Sequence, residues 1–273
     1  PQAAATPTGR IVWREAGSWV LYDVANTVYA ATLTFLLATF VKDIHNQTFA
    51  FGLTQTISMI LSGVSVPLMA AIADKTGRSR AYLVATTLVC IGATAAFSLD
   101  QPLWLLMVFF GIANYCYNTA LVFYNSLLPS VTPDSRAGLV SGLGVGLGYL
   151  GTIATLVILL PAKDKLGAPT SFVLAAAMFL VLALPCMLLV KEKRVTAREP
   201  LSRALLRERF GEVLKTLKGL RHDKRMLCFL IGNFLCVDVI NTAILFFMVY
   251  SLSVFGGQQF ELLGMSMDMR LYY

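Results

Sequence analysis

The sequence predicts an all-α membrane protein: a six-helix bundle, a charged cytoplasmic linker and a seventh membrane-spanning helix. Three observations lead there. Of 273 residues, 57% are apolar and 14% charged, whereas soluble domains run near half and a quarter. The apolar residues collect in seven stretches, each near the roughly 20 residues that a helix needs to cross a bilayer. Basic residues between these stretches alternate in density, as membrane topology requires. With a mean hydropathy of +0.70, a disordered chain, a disulfide-stapled secreted domain and an ordinary cytosolic enzyme are excluded.

The spans are expected at Ser18–Val41, Phe51–Ala73, Ala81–Leu99, Pro102–Tyr124, Gly138–Leu160, Pro169–Val190 and Met226–Tyr250. Lipid offers backbone amides no partners, so each should be helical, and no stretch alternates with the period of two of a membrane barrel strand. The first span is too long for a signal-peptide core and has no small-residue cleavage site, so it stays in the protein. Domain organisation follows: a cytoplasmic segment 1–17, a six-span bundle 18–190, a basic linker 191–225, and residues 226–273 as the first span of a second bundle with its tail. The chain begins at Pro1 and ends at Tyr273, about one turn into what would be an eighth span, so it reads as a piece of a longer protein.

Charge sets the orientation. Eighteen of the 22 Lys and Arg fall on one side, before span one, between spans two and three, four and five, and six and seven. That side is the cytoplasm, which places the N-terminus there. The linker Lys191–Arg225 holds 12 basic and 5 acidic residues, a net charge equal to the +7 of the whole chain. The basic balance therefore belongs to one cytoplasmic segment and gives no support for nucleic-acid binding. Within it, Leu201, Leu205, Leu206, Phe210, Val213, Leu214 and Leu217 recur at helical spacing among basic residues. This reads as an amphipathic helix on the membrane surface, ahead of a calmodulin-like target.

The five cysteines lie in apolar stretches without Cys-x-x-Cys spacing, and the two histidines, His45 and His222, are far apart. Neither a bridge nor a metal site follows, and no cofactor is expected.

Polar residues inside the spans carry the functional reading. Asp23-Val24-Ala25-Asn26-Thr27 in span one is echoed by Asp238-Val239-Ile240-Asn241-Thr242 in span seven, and these hold the only aspartates within any span. Intramembrane acids are rare and usually functional, and two bundles related by an axis along the membrane normal would make spans one and seven alike. At 100° per residue, Trp19, Asp23, Asn26, Thr27, Ala30 and Thr34 share one face of span one. Asn114, Tyr117, Asn118 and Asn125 share one face of span four. A solute and proton pathway is expected along Asp23, Asn26, Thr27, Asn114, Tyr117, Asn118, Asp238 and Asn241. For the asparagines, interhelical hydrogen bonding accounts for the pattern equally well. Spans three and six contain no Asn, Gln or internal charge, which suits helices facing mostly lipid.

Between spans two and three, Asp74, Gly77, Arg78 and Arg80 make a tight, charge-locked cytoplasmic turn, expected to act as a gate. Span five carries the interleaved pairs Gly142/Gly146 and Gly144/Gly148, which let a neighbouring backbone approach closely. Without a preceding strand or a following Gly-Lys-Ser/Thr, this run is no phosphate-binding loop.

The stretch from Ala70 to Arg80 resembles the signature Gly-x-x-x-Asp-Arg/Lys-x-Gly-Arg-Arg/Lys of the major facilitator superfamily, with Ala70 for the first Gly and Ser79 for a basic residue. Ser18–Thr27, Asn125-Ser126-Leu127-Leu128-Pro129 and Ser141-Gly142 with Gly146–Gly151 resemble the vacuole-effluxer-like (autophagy-related protein 22-like) branch, where Tyr-Asp-Trp-Ala-Asn is typical and Val24 replaces the Trp. The resemblance implies an incomplete twelve-span major-facilitator-type fold. It also implies secondary active transport of a small solute by alternating access, with amino-acid efflux in fungal members. Proton coupling through Asp23 and Asp238 and a monomeric protein are the accompanying expectations. The membrane would be the plasma (inner) membrane in a prokaryote and the vacuolar membrane in a eukaryote. A seven-span receptor or sensor is the competing reading, opposed by the cytoplasmic N-terminus. An intramembrane enzyme finds no His-Glu-x-x-His and no Ser–His pair in the spans, so no enzymatic activity is expected.

Overall fold

A computed structural model describes residues 11–41 and 48–192, then 210–211, 215, 219, 223–236, 239–240, 259–262 and 265–268; at Thr39, Thr48, Ala71, Ile72, Asp74, Lys75 and 259–268 only the backbone is described. The chain divides into two units, Pro1–Arg209 and Phe210–Tyr273.

Among its described residues, the first unit holds six helices long and apolar enough to cross a membrane. α1 (Trp13–Ala31) runs on through a π-helical stretch, Thr32–Leu37, to Phe40. It begins five residues before the expected span at Ser18, so the first helix includes part of the segment assigned to the cytoplasm. Helix ends and membrane boundaries need not coincide. α2 (Thr48–Thr76), α3 (Ser79–Ala96) and α4 (Leu103–Ser126) follow. α5 (Ala137–Ala154) continues through a second π-helical stretch, Thr155–Leu159, to Leu166, and α6 is Ala168–Leu189. Both π stretches open on a buried threonine bonded back to a carbonyl four residues earlier: Thr32 Oγ1 donates to Val28 O at 2.7 Å, and Thr155 Oγ1 to Gly151 O at 2.9 Å. Such back-bonding competes with the regular ladder.

Two turns need a left-handed residue. Gly77 (φ +57°) ends α2 and Gly167 (φ +86°) separates Leu166 from α6, positions where a Cβ would be strained.

α1 packs along α5 and α6, α3 along α4 and α6, and α2 along α4. Aromatic rings fill the contacts: Phe172 of α6 meets Phe40 and Phe97 edge-on, at 5.5 and 5.6 Å between centroids. Spans three and six leave most of their apolar windows uncovered, at 39% buried each, in keeping with helices that face mostly lipid; within this unit span two at 11% and span five at 28% are covered less still.

In the second unit, the Asp223 carboxylate accepts the backbone N–H groups of Arg225 and Met226, each at 3.1 Å, and opens a helix at 224–236. This is where the seventh span is expected. Phe210, Gly211, Lys215 and Gly219 of the expected amphipathic helix are helical and exposed, while its remaining residues, with Asp238, Asn241 and Thr242, lie outside the described residues. An antiparallel hairpin, Gln259–Leu262 with Met265–Asp268, stands where an eighth span was expected to begin. Its sequence alternates polar and apolar, and the register sets Phe260 opposite Met267 and Gln259 opposite Asp268. That is a strand period, and four residues are too few to cross a bilayer. The bundle itself is all-helical, as the sequence predicts.

Candidate functional site

The polar stripe of α1 points at α5. Asp23 is half-buried, Asn26 is 4% exposed, and Thr27 is half-buried with its hydroxyl donating to Asp23 O at 2.7 Å. Across from them stand three glycines of α5. A Cβ built on Gly144 would collide with the Asp23 carboxylate and lie 3.1 Å from the Trp19 ring; one on Gly148 would lie 3.1 Å from Thr27 Oγ1. One on Gly151 would collide with Val24 O and lie 3.1 Å from Val28 N. The two helices approach backbone to backbone because these positions have no side chains. Gly142 and Gly146 differ: a Cβ at either meets nothing within 4 Å. Only one of the two expected pairs sits in a helix contact. Gly151, on the same face three residues beyond Gly148, completes the stripe, and its spacing was visible in the sequence.

The other side of Asp23 is aromatic. Trp19 Nε1 donates to Tyr124 O at 3.0 Å and Tyr124 Oη donates to Trp19 O at 3.1 Å, while the two rings stack at 4.2 Å. Tyr22 stacks on Tyr124 at 4.9 Å and shares a 2.6 Å hydrogen bond with Thr87 of α3. This reciprocal clamp fixes α1 against α4 one turn before Asp23, whose carboxylate faces the Tyr124 hydroxyl and the Asn26 amide. Tyr124 was not singled out from sequence, since a tyrosine near a span end has many commoner uses. Asn26 makes no close hydrogen bond beyond its approach to the Asp23 carboxylate, and the Tyr29 hydroxyl, one turn on, faces the Cys90 thiol.

The stripe of α4 does not stay together. Tyr117 packs against Tyr29 at 4.7 Å and lies within electrostatic range of Asp23. Asn114 instead turns to α2, its Nδ2 donating to Ser58 Oγ at 2.6 Å, and Asn118 donates to Asn114 O of its own helix at 2.7 Å. Asn125 is exposed. The structure therefore gathers Asp23, Asn26, Thr27 and Tyr117, and leaves Asn114 in a separate contact.

At the turn between α2 and α3, Arg80 Nε donates to Met187 O at 2.8 Å and its Nη2 to Leu188 O at 3.1 Å. In return, Glu192 accepts the backbone N–H of Ser79. Arg80 thus satisfies carbonyls at the end of α6, while Glu192 satisfies an amide at the start of α3. Arg78 is exposed, and the side chain of Asp74 lies outside the described residues. Glu192 entered the sequence reading only as one acid among the linker charges. Its pairing depends on where α6 ends.

A family model described as Major Facilitator Superfamily matches residues 21–269, nearly the whole chain. The chain belongs to the major facilitator superfamily. Two relatives of this superfamily member span its bundle. The "Uncharacterized MFS-type transporter YxiO" of Bacillus subtilis (strain 168) is 28% identical over 253 residues, covering 85% of this chain and 58% of its own length. An "Uncharacterized protein" of Aquifex aeolicus (strain VF5) is 25% identical over 246 residues, covering 90% of this chain and 59% of its own length. The chain thus spans less than two thirds of each relative. In superfamily terms, the described residues comprise a six-helix bundle whose Asp23 cluster sits at the α1–α4–α5 contact, with the signature turn at the α3–α6 end.

Proposed function

We propose that the protein is a secondary active transporter that moves a small solute by alternating access, coupled to protons, and that these residues supply its first bundle, the cytoplasmic linker and the opening of the second bundle. The single observation that carries this is Asp23, an aspartate in mid-span whose carboxylate faces a tyrosine hydroxyl and a buried amide and, among the described residues, has no basic side chain against it. An acid costs about 2.5–3.5 kcal/mol on insertion scales, so its retention calls for a task. Membership of the superfamily and the transporter relative of Bacillus subtilis support the same reading.

In this reading α1, α4 and the seventh span line the solute cavity. Asp23 takes and releases protons with Asn26, Thr27, Tyr117 and Asn118 on the same pathway, and by the sequence echo Asp238 and Asn241 do the corresponding work in the seventh span. Asp74, Gly77, Arg78 and Arg80 hold the cytoplasmic end, where the Arg80–Glu192 exchange locks α3 to α6. The Tyr22-Asp23-x-x-Asn26 opening supports placement in the vacuole-effluxer-like branch, and with it amino acids as the solute class and efflux as the direction. The charge bias supports a cytoplasmic N-terminus, and the bacterial relatives support the plasma (inner) membrane.

The test is uptake by the full-length protein in proteoliposomes with an imposed pH gradient and a radiolabelled panel of amino acids, sugars and cationic drugs. The expected result is gradient-dependent accumulation of one or more amino acids. Accumulation of no panel member, or accumulation indifferent to the gradient, contradicts the proton-coupled reading.

A further inference from the structure

Resting on the transport reading, we propose that Gly144 is a positioning residue for the coupling acid: its missing side chain forms the slot that holds the Asp23 carboxylate against α5. The position that a Cβ would take at Gly144 is occupied by Asp23 Oδ2, and the Trp19 ring closes the slot from the preceding turn of α1. At Gly148, one turn further, the space is taken by the Thr27 hydroxyl, so the two polar side chains of α1 are each seated opposite a glycine. A stripe of glycines alone would mean only close packing. The buried Asn26 amide is an independent observation, because its polar neighbour is the same carboxylate and neither its oxygen nor its nitrogen makes a close hydrogen bond to any other group. Buried polar groups are nearly always paired. This one is held ready for the acid, its oxygen able to accept from the protonated form and its nitrogen able to donate to the ionised form.

The surroundings of Asp23 make the wall on α5 decisive. From α4, Tyr124 and Tyr117 face it; from α6, Cys186 lies within electrostatic range; Asn26 is on its own helix. α5 presents no titratable group, since its single tyrosine, Tyr149, is 63% exposed. Its backbone N–H groups at this point are spent within the helix. The slot thus fixes where the carboxylate sits without donating to it, and every donor comes from elsewhere. Moving the carboxylate out of the slot changes which of those donors it meets, and so changes the pH at which it titrates.

Trp19 reports this without knowledge of the solute, because it touches both the slot and the Tyr124 clamp. In the full-length protein with every tryptophan other than Trp19 replaced by Phe, Trp13 and Trp104 among them, the emission of Trp19 is followed against pH. The expected result is a single step that is absent in Asp23→Asn, displaced by about one pH unit in Gly144→Ala, and unmoved in Gly142→Ala and Gly146→Ala, whose added methyls enter open space. A step in Gly144→Ala at the parent's pH overturns the positioning role while leaving the coupling acid intact. A step that survives Asp23→Asn, or no step in the parent, removes the titrating acid itself and with it the proton-coupled reading. If Gly144→Ala does not fold, the change is made in an Asp23→Ala background, where the slot is empty. Normal expression of that double variant supports the proposal, and an equal failure there overturns it.

Discussion

Among the helix contacts of this bundle that hold polar side chains, two are built on opposite principles. Between α2 and α4, the buried Asn114 donates to Ser58, and the Tyr115 hydroxyl is shared between Ser65 at 2.9 Å and Met69 Sδ at 3.5 Å. The polar side chains that reach across there have partners. Between α1 and α5, the contact is made by glycines, and α5 gives the polar side chains of α1 no side-chain partner: Asp23 faces a tyrosine hydroxyl of α4 and the Asn26 amide of its own helix. Hydrogen bonds across membrane helices are modest in strength, and an unmade one in a buried site costs about 1–3 kcal/mol. The α2–α4 contact is therefore glue. The α1–α5 contact encloses an acid and an amide that α5 does not satisfy, which the proposed transport role would explain.

The largest effect that would break this contrast lies at Asp23. Asp23→Asn keeps the size and most hydrogen-bonding capacity but removes the titratable charge. We expect pH-driven accumulation by the full-length protein to be abolished, with expression and thermal stability near the parent's. Unchanged accumulation would reduce the α1–α5 contact to the same structural status as α2–α4.

A smaller effect, on stability, sharpens the contrast within α5 itself. Gly151→Ala places a methyl against the carbonyl of Val24, which cannot move without bending α1. Overpacking of this kind costs about 1–3 kcal/mol. Gly146→Ala adds a methyl to open space and, by replacing a helical glycine, is expected to leave stability unchanged or raised by up to about 1 kcal/mol. Thermal unfolding in detergent reads both. Equal melting temperatures would mean that the glycine spacing, and not the facing helix, decides the outcome.

That pair also shows how far the sequence could be read. Hydropathy and basic-residue bias are properties of whole segments, so the first six spans and the helical start of the seventh were legible, to within a few residues, and so was the tight turn at Gly77. The Asp23-Val24-Ala25-Asn26-Thr27 stripe was legible because acids in lipid are conspicuous. What a residue faces was not. Gly142 and Gly144 are indistinguishable in a Gly-x-x-x-Gly pattern, and the helical wheel put Asn114 with Tyr117 although one turns to α2 and the other to α1. Glu192 and Tyr124 act through backbone groups of distant helices, and backbone partners leave no trace in side-chain spacing. The α-helical period fixes a face; only packing fixes its neighbour.

The most direct measurement sets the two asparagines side by side, each replaced by leucine of similar volume in the full-length protein, with thermal stability and pH-driven uptake read on the same preparations. Asn26→Leu removes an amide that makes no close hydrogen bond to another helix, so stability is expected to hold or rise by about 1 kcal/mol while uptake falls at least tenfold. Asn114→Leu removes the bond to Ser58 and leaves that hydroxyl only its own-helix bond to Gln55 O, so stability is expected to fall by about 1 kcal/mol while the folded protein transports normally. Loss of stability at Asn26 with retained uptake, or loss of uptake at Asn114 alone, would contradict the division of this bundle into a glued contact and a working one.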